Sequence, residues 1–233
     1  MPGATDDRLR ERYASIRARI GAACARVGRR IEEVGLVAVT KGVPPDVIRA
    51  GAEMGMRRFG ESYAQESERK RAALGALPGV EWHFIGRIQR NKARAIAAFT
   101  LVHSVADART GAALGREGAR RGVAVRVLVQ VNLAGQVSKA GATPGELPRL
   151  LAELRADAWL RVEGLMAIPP ALTGGEVRPL FAELRRLRDR QAHAEELVHL
   201  SMGMSSDFEI AIEEGATLVR VGTALFGARK EAA

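Results

Sequence analysis

At 233 residues, nearly half of them hydrophobic, the chain has enough apolar content for one large core and suits a single α/β barrel. The formal charge of +9 comes mainly from arginines set beside Glu and Asp, as in RLRERYASIRARI and FAELRRLRDRQ. This reads as solvated, salt-bridged helix faces rather than a nucleic-acid module, leaving at most weak, salt-sensitive binding. One cysteine, Cys24, excludes an intramolecular disulfide framework, and no run is long and apolar enough to span a membrane or serve as a signal peptide.

In chain order, short β-branched runs alternate with longer amphipathic ones. A first helix is predicted from about Asp6 to Val27, with Cys24 as a buried, inert thiol. The strand VGLVAVTK follows, then a helix over Pro45 to Met54 with proline in its first turn. RRFGE is a second strand before a polar helix from Ser62 to Leu74, and EWHFIG a third, with a helix beginning near Gln89. LVHSV is the fourth, and Asp107 is placed to cap a helix ending near Gly122.

VAVRVLVQVNL reads as the fifth and longest strand, after which Gly135 to Glu146 is the loosest segment. Thr143 and Pro144 are expected to open a helix, and Leu160 to Pro169 to form the sixth strand. A helix rich in Leu and Arg leads to LVHLSMG, the seventh; Ser205 or Ser206 would cap the next helix, and LVRVGTALFG is the eighth strand. Eight strands, each followed by a helix or the chain end, predict a closed (β/α)8 barrel of the TIM type. An open doubly wound sheet is disfavoured because no GxGxxG follows the first strand. The domain reading is a single unit over 1–233, with the N-terminal helix at 6–27 and the barrel at 34–227.

Barrel chemistry collects at the C-terminal ends of the strands. Alternation puts Val37, Val39 and Lys41 on one face, so valines that fill the barrel would turn Lys41 inward. Partial desolvation there favours attack of the amine on an aldehyde, although on position alone an ordinary strand-end lysine is the better reading. On the eighth strand Leu218, Arg220 and Gly222 share a face, which would place a guanidinium inside the barrel in need of an acceptor. Gly222 and Thr223 offer N–H groups and a hydroxyl to a phosphate, and Ser201 to Ser206 adds hydroxyls, Gly203 and a helix start. An amine, a phosphate cradle and an interior cation together suit a phosphorylated aldehyde.

VAVTK at Lys41, RFGESYAQE from Arg58, EWHFIGRIQRNK from Glu81, GLMAIP from Gly164, LSMGMSSDFEIAIEEGAT from Leu200 and VRVGTALFGAR from Val219 resemble the pyridoxal 5′-phosphate (PLP) homeostasis proteins, the YggS/PROSC group. The resemblance runs through nearly the whole chain. It implies the barrel of the alanine racemase N-terminal domain (fold-type III), with PLP as an internal aldimine on Lys41. Arg220 would face the pyridine nitrogen, Met166 would lie near the ring, and Ser201, Gly203, Gly222 and Thr223 would surround the phosphate. It further implies a non-catalytic carrier that supplies apo PLP-dependent enzymes. The sequence departs from the family pattern at Ser62, Ser206, Arg87 and Arg90, the arginines making the third-strand mouth more basic.

The alternative is a fold-type III enzyme such as an amino-acid racemase. Two-base racemization needs a second base opposite the lysine, and neither Tyr13 nor Tyr63 is placed to serve. His83, His103 and His199 lack ligand spacing and read as strand residues without a metal. Trp82 and Phe84 read as core, and Lys139, in the loose segment, is a candidate for transient second-site binding. A cytoplasmic monomer is the expected state.

Overall fold

The structure, a computed structural model, describes residues 4–135, 140–170 and 174–227. Helix α1 (Ala4–Arg26) precedes the strands β1 (Gly35–Val39), β2 (Arg58–Glu61), β3 (Glu81–Phe84), β4 (Leu101–Val105), β5 (Val125–Val131), β6 (Leu160–Ala167), β7 (His199–Ser201) and β8 (Leu218–Val221). Every neighbouring pair is parallel, and β8 returns to pair with β1, closing the (β/α)8 barrel. Between the strands run α2 (Pro45–Glu53), α3 (Ala64–Leu74), α4 (Ala93–Ile96), α5 (Ala108–Arg121), α6 (Leu147–Arg155), α7 (Arg178–Asp189) and α8 (Phe208–Glu213). The short α9 (Thr223–Phe226) follows β8 directly.

Local chemistry sets several boundaries. Asp107 accepts from the Thr110 amide at 2.8 Å and caps α5, which stops at Gly122 in the left-handed region. Helix α6 starts later than the Thr143-Pro144 signal indicates. Thr143 and Glu146 first close a turn on each other, Glu146 Oε2 accepting from the Thr143 amide at 2.9 Å and its hydroxyl at 2.7 Å. Strand β6, with 8 residues, exceeds the 7 of β5, so the fifth strand is not the longest. Neither Ser205 nor Ser206 caps α8; its first turn follows Asp207, whose carboxylate accepts from the Met204 amide at 2.6 Å.

Two apolar regions hold the fold. The larger lies between the barrel wall and the helices, where Phe59, Ile48, Leu114, Phe181 and Phe208 are fully buried. The smaller is inside the barrel, a cluster of Val37, Leu101, Leu128, Met166 and Leu218. Five residues from five strands fill the interior because successive side chains on a strand alternate in and out. Many arginines on the outside are paired, but across elements as well as along helices: Arg19 and Arg26 of α1 reach Glu209 and Glu213, and Arg178 of α7 reaches Glu213 and Glu214. Cys24 is buried in α1.

The interior cluster lies beneath the reactive end, so a void there should be costly. Leu128→Ala is expected to lower stability by about 2–5 kcal/mol in urea unfolding, the range for a buried leucine whose surroundings relax only in part.

Candidate cofactor site

The closure of the barrel assembles the site. Val37 pairs with Arg220 and Ala38 with Val221, so the ends of β1 and β8 lie side by side. Lys41 follows β1 in a turn and is half-buried; Gly222 and Thr223 follow β8. An added Cβ at Gly222 would sit 3.4 Å from Val39 Cβ, so the two chain segments touch.

The backbone around Lys41 is held from three directions. Thr40 donates its amide to the Gly60 carbonyl at 2.9 Å and its hydroxyl to Glu61 at 2.7 Å. Lys70, reaching down from α3, donates to the Thr40 carbonyl at 2.5 Å and pairs with Glu61 at 2.9 Å and Glu66 at 2.5 Å. Glu66 in turn accepts the Gly42 amide at 2.6 Å. Residues 40 and 42 are thus fixed on either side of Lys41. Glu61 is fully buried with one carboxylate oxygen unpartnered, and burial raises its pKa against the pull of Lys70.

Arg220 points into the barrel and is 4% exposed. Its Nη1 donates to both the carbonyl and hydroxyl oxygens of Ser201 at 2.7 Å, and its Nη2 to the Ala167 carbonyl at 2.9 Å. Burial brings its pKa down to about 10, with Asp207 the charge opposing that, so the group is cationic at neutral pH. Behind Ser201 lie two buried imidazoles: His103 Nδ1 is 2.8 Å from Ser201 Oγ, and His103 Nε2 is 2.8 Å from His83 Nδ1.

A second polar cluster stands where α9 begins. The amides of Gly222 and Ala224 both point at Ser205 Oγ at 3.4 Å, and the Thr223 hydroxyl approaches it at 3.3 Å. These are long contacts, and several donors converge on one small oxygen. The hydroxyl at this cluster is therefore Ser205, which the helix-cap reading overlooks. Ser201, assigned to the phosphate by the resemblance, has its hydroxyl engaged by Arg220 and His103. Gly203 is buried with φ of +88°, and a Cβ there would fall 2.5 Å from Ala211 Cβ and 2.9 Å from Phe208 Cα. Its lack of a side chain serves packing against α8. Met166 is fully buried in the interior cluster with Val37 and Leu218.

A cavity of about 1130 Å³ opens beyond the ends of β2 to β5, lined by Arg87, Arg90, Lys92 and Arg109 among others. Phe84 packs edge-on to Phe99 and Trp82 tilts against Phe59, both as core. Among the described residues no group of three or more His, Cys, Asp or Glu could hold a metal ion, and no helix is long and apolar enough to cross a membrane. Lys139 lies outside the described residues.

Two measurements probe these buried charges. Lys70→Met is expected to lower stability by roughly 3–5 kcal/mol near neutral pH, because it strands the Glu61 carboxylate in the interior. The loss should shrink at about pH 5, where that carboxylate takes a proton more readily, and urea unfolding at both pH values reads it. The histidines set a second pH dependence. Burial, then the neighbouring His83 and Arg220, holds the His103 pKa well below the imidazole range, and burial also lowers that of His83. Below about pH 6.5 the unfolded chain takes up protons that the native imidazoles refuse, so stability falls as pH falls. His103 should contribute a slope of up to about 1.4 kcal/mol per pH unit below about pH 6.5, with a contribution of the same sign from His83, and the profile should flatten in His103→Phe.

Comparison with known proteins agrees with this architecture. The model of the alanine racemase N-terminal domain matches residues 12–230. The pyridoxal phosphate homeostasis protein of Aquifex aeolicus is 42% identical over 224 residues, covering 94% of this chain and 98% of that protein. That of Pseudomonas aeruginosa is 44% identical over 224 residues, covering 95% and 96%. Among solved structures, PipY of Synechococcus elongatus PCC7942 with PLP bound superposes with a TM-score of 0.81 at 37% identity, covering 94% of this chain and all of that one. The chain therefore belongs to the pyridoxal phosphate homeostasis protein family, built on the barrel of the alanine racemase N-terminal domain.

Proposed function

We propose that this protein binds PLP at the β1–β8 seam, with Lys41 as its covalent anchor, and acts in PLP homeostasis as a carrier. The observation that carries this reading is the pairing of β1 with β8, which sets a clamped lysine beside a cluster of phosphate-type donors above a buried arginine. PLP supplies an aldehyde that condenses with an amine. The residues present fit such a group. The Gly222 and Ala224 amides, the Thr223 hydroxyl and Ser205 form the phosphate cradle, their long mutual contacts being weaker than those a phosphate oxygen would accept. Arg220 Nε has no partner among the described residues and is free to donate to the ring nitrogen. Met166 and Ser201 would lie against the ring.

The nature of that donor supports a carrier role. Guanidinium does not readily give up a proton, so a ring nitrogen facing Arg220 accepts a hydrogen bond without becoming protonated, and the ring stays a weak electron sink. No carboxylate is hydrogen-bonded to Arg220 in the described structure. The site favours holding PLP over drawing electrons through it. Delivery to apo PLP-dependent enzymes, a monomeric state and a cytoplasmic location belong to the same reading.

Borohydride reduction of the PLP-loaded protein followed by peptide mass mapping is the direct test. A pyridoxyl group on the Lys41 peptide, absent in Lys41→Ala, is expected. Label elsewhere would remove the assigned anchor, and no label after incubation with PLP would remove the binding reading. Amino-acid racemization at enzyme-like rates that vanished in Lys41→Ala would replace carrier with enzyme.

A further inference from the structure

The polar contacts inside the barrel form one chain with a single consistent direction. Arg220 can only donate, so Ser201 Oγ accepts from it. Its other contact is His103 Nδ1. If the imidazole donated there, the serine hydroxyl proton would have no acceptor among the described residues. If instead Ser201 donates to His103 Nδ1, His103 carries its proton on Nε2 and donates to His83 Nδ1. His83 then carries its proton on Nε2, which faces Glu81 Oε2 at 3.6 Å.

That last contact is longer than a hydrogen bond, and His83 Nε2 has no closer partner. Its sign is still decisive, since the reverse tautomer would turn a lone pair toward a carboxylate. Glu81 suits the role: contact with His83, aided by Arg58, draws its pKa down to about 2, so it is an anion. The chain Arg220–Ser201–His103–His83–Glu81 crosses from β8 through β7 and β4 to β3, cation at one end and anion at the other. His103 is fully buried and Ser201 likewise, so no water competes for these bonds.

We propose that His103 and His83 are positioning residues for the cofactor ring. Through Ser201 they fix the Arg220 guanidinium and leave its Nε as the group that meets the ring nitrogen. The inference rests on the PLP reading above. Arg220 holds two acceptors through Nη1 and one through Nη2, and these three contacts set the plane of the guanidinium. Removing the His103 acceptor frees the Ser201 hydroxyl to rotate and offer its proton toward Arg220, which loosens that plane. The effect reaches the ring although neither imidazole touches it.

The test uses PLP labelled with ¹⁵N in the ring, bound to the wild-type protein, His103→Phe and His103→Gln. Ring ¹⁵N NMR reports the hydrogen bond at that nitrogen, and a titration reports affinity. In His103→Phe the resonance is expected to move from its wild-type position and PLP affinity to fall roughly tenfold, the order expected for one lost or misdirected buried hydrogen bond. His103→Gln keeps one acceptor and one donor and should restore the wild-type resonance, which generic core damage would not allow. If His103→Phe does not fold, His83→Phe removes the acceptor of the His103 Nε2 proton without touching Arg220 and is read the same way. A folded variant with an unmoved resonance and affinity within about twofold of wild type overturns the proposal. Failure of the wild-type protein to bind PLP would instead overturn the reading on which it rests.

Discussion

The pairing of β8 with β1 is the constraint on which the rest of the molecule depends. These strands are far apart in the sequence, yet the register Val37↔Arg220 and Ala38↔Val221 brings their ends together. Closure leaves no open sheet edge and turns the alternate residues of every strand into a common interior. It also places the turn carrying Lys41 beside the donors of Gly222, Thr223 and Ala224. Stability and the candidate site therefore share the same seam.

The interior is only partly apolar. Val37, Leu101, Leu128, Met166 and Leu218 supply the packing, but Arg220, Ser201, His103 and His83 share the space with them. A guanidinium in such surroundings is costly unless its donors are satisfied. Here three acceptors from β6 and β7 engage it, and a row of neutral, hydrogen-bonded groups links it toward Glu81. The neutrality of the imidazoles matters as much as their hydrogen bonds. A protonated His103 would set a second positive charge near Arg220 without a counter-ion.

Lys41, the proposed anchor, is treated differently. Lys41 is left half-exposed while its neighbours Thr40 and Gly42 are held by Glu61, Lys70 and Glu66. Fixing the main chain on either side of Lys41 suits the anchoring role proposed for its amine. The cluster that holds it is built from α3 and β2, so the helix after the second strand determines how the turn after the first is presented.

The sequence by itself determined the order and type of the elements, because alternation of period two and the capping signals at Asp107 and Gly122 are local. It also marked as candidates Lys41, Gly222 and Thr223, just beyond strand ends where barrels place chemistry, and Arg220 within β8, and the motif blocks around them identified the family. What only the tertiary structure decided are the partners. His83 and His103 read as unremarkable strand residues because the spacing between them carries no signal; they meet only when β3 and β4 align inside a closed barrel. Ser205 or Ser206 looked like a helix cap, but Asp207 holds the turn before α8, and the Ser205 hydroxyl faces the start of α9 instead. The helix from Ser62 to Leu74 read only as polar, yet its Lys70 is buried against Glu61, 9 residues earlier. Sequence fixes which side chains share a face, whereas contacts between faces depend on register and closure, which no local pattern encodes.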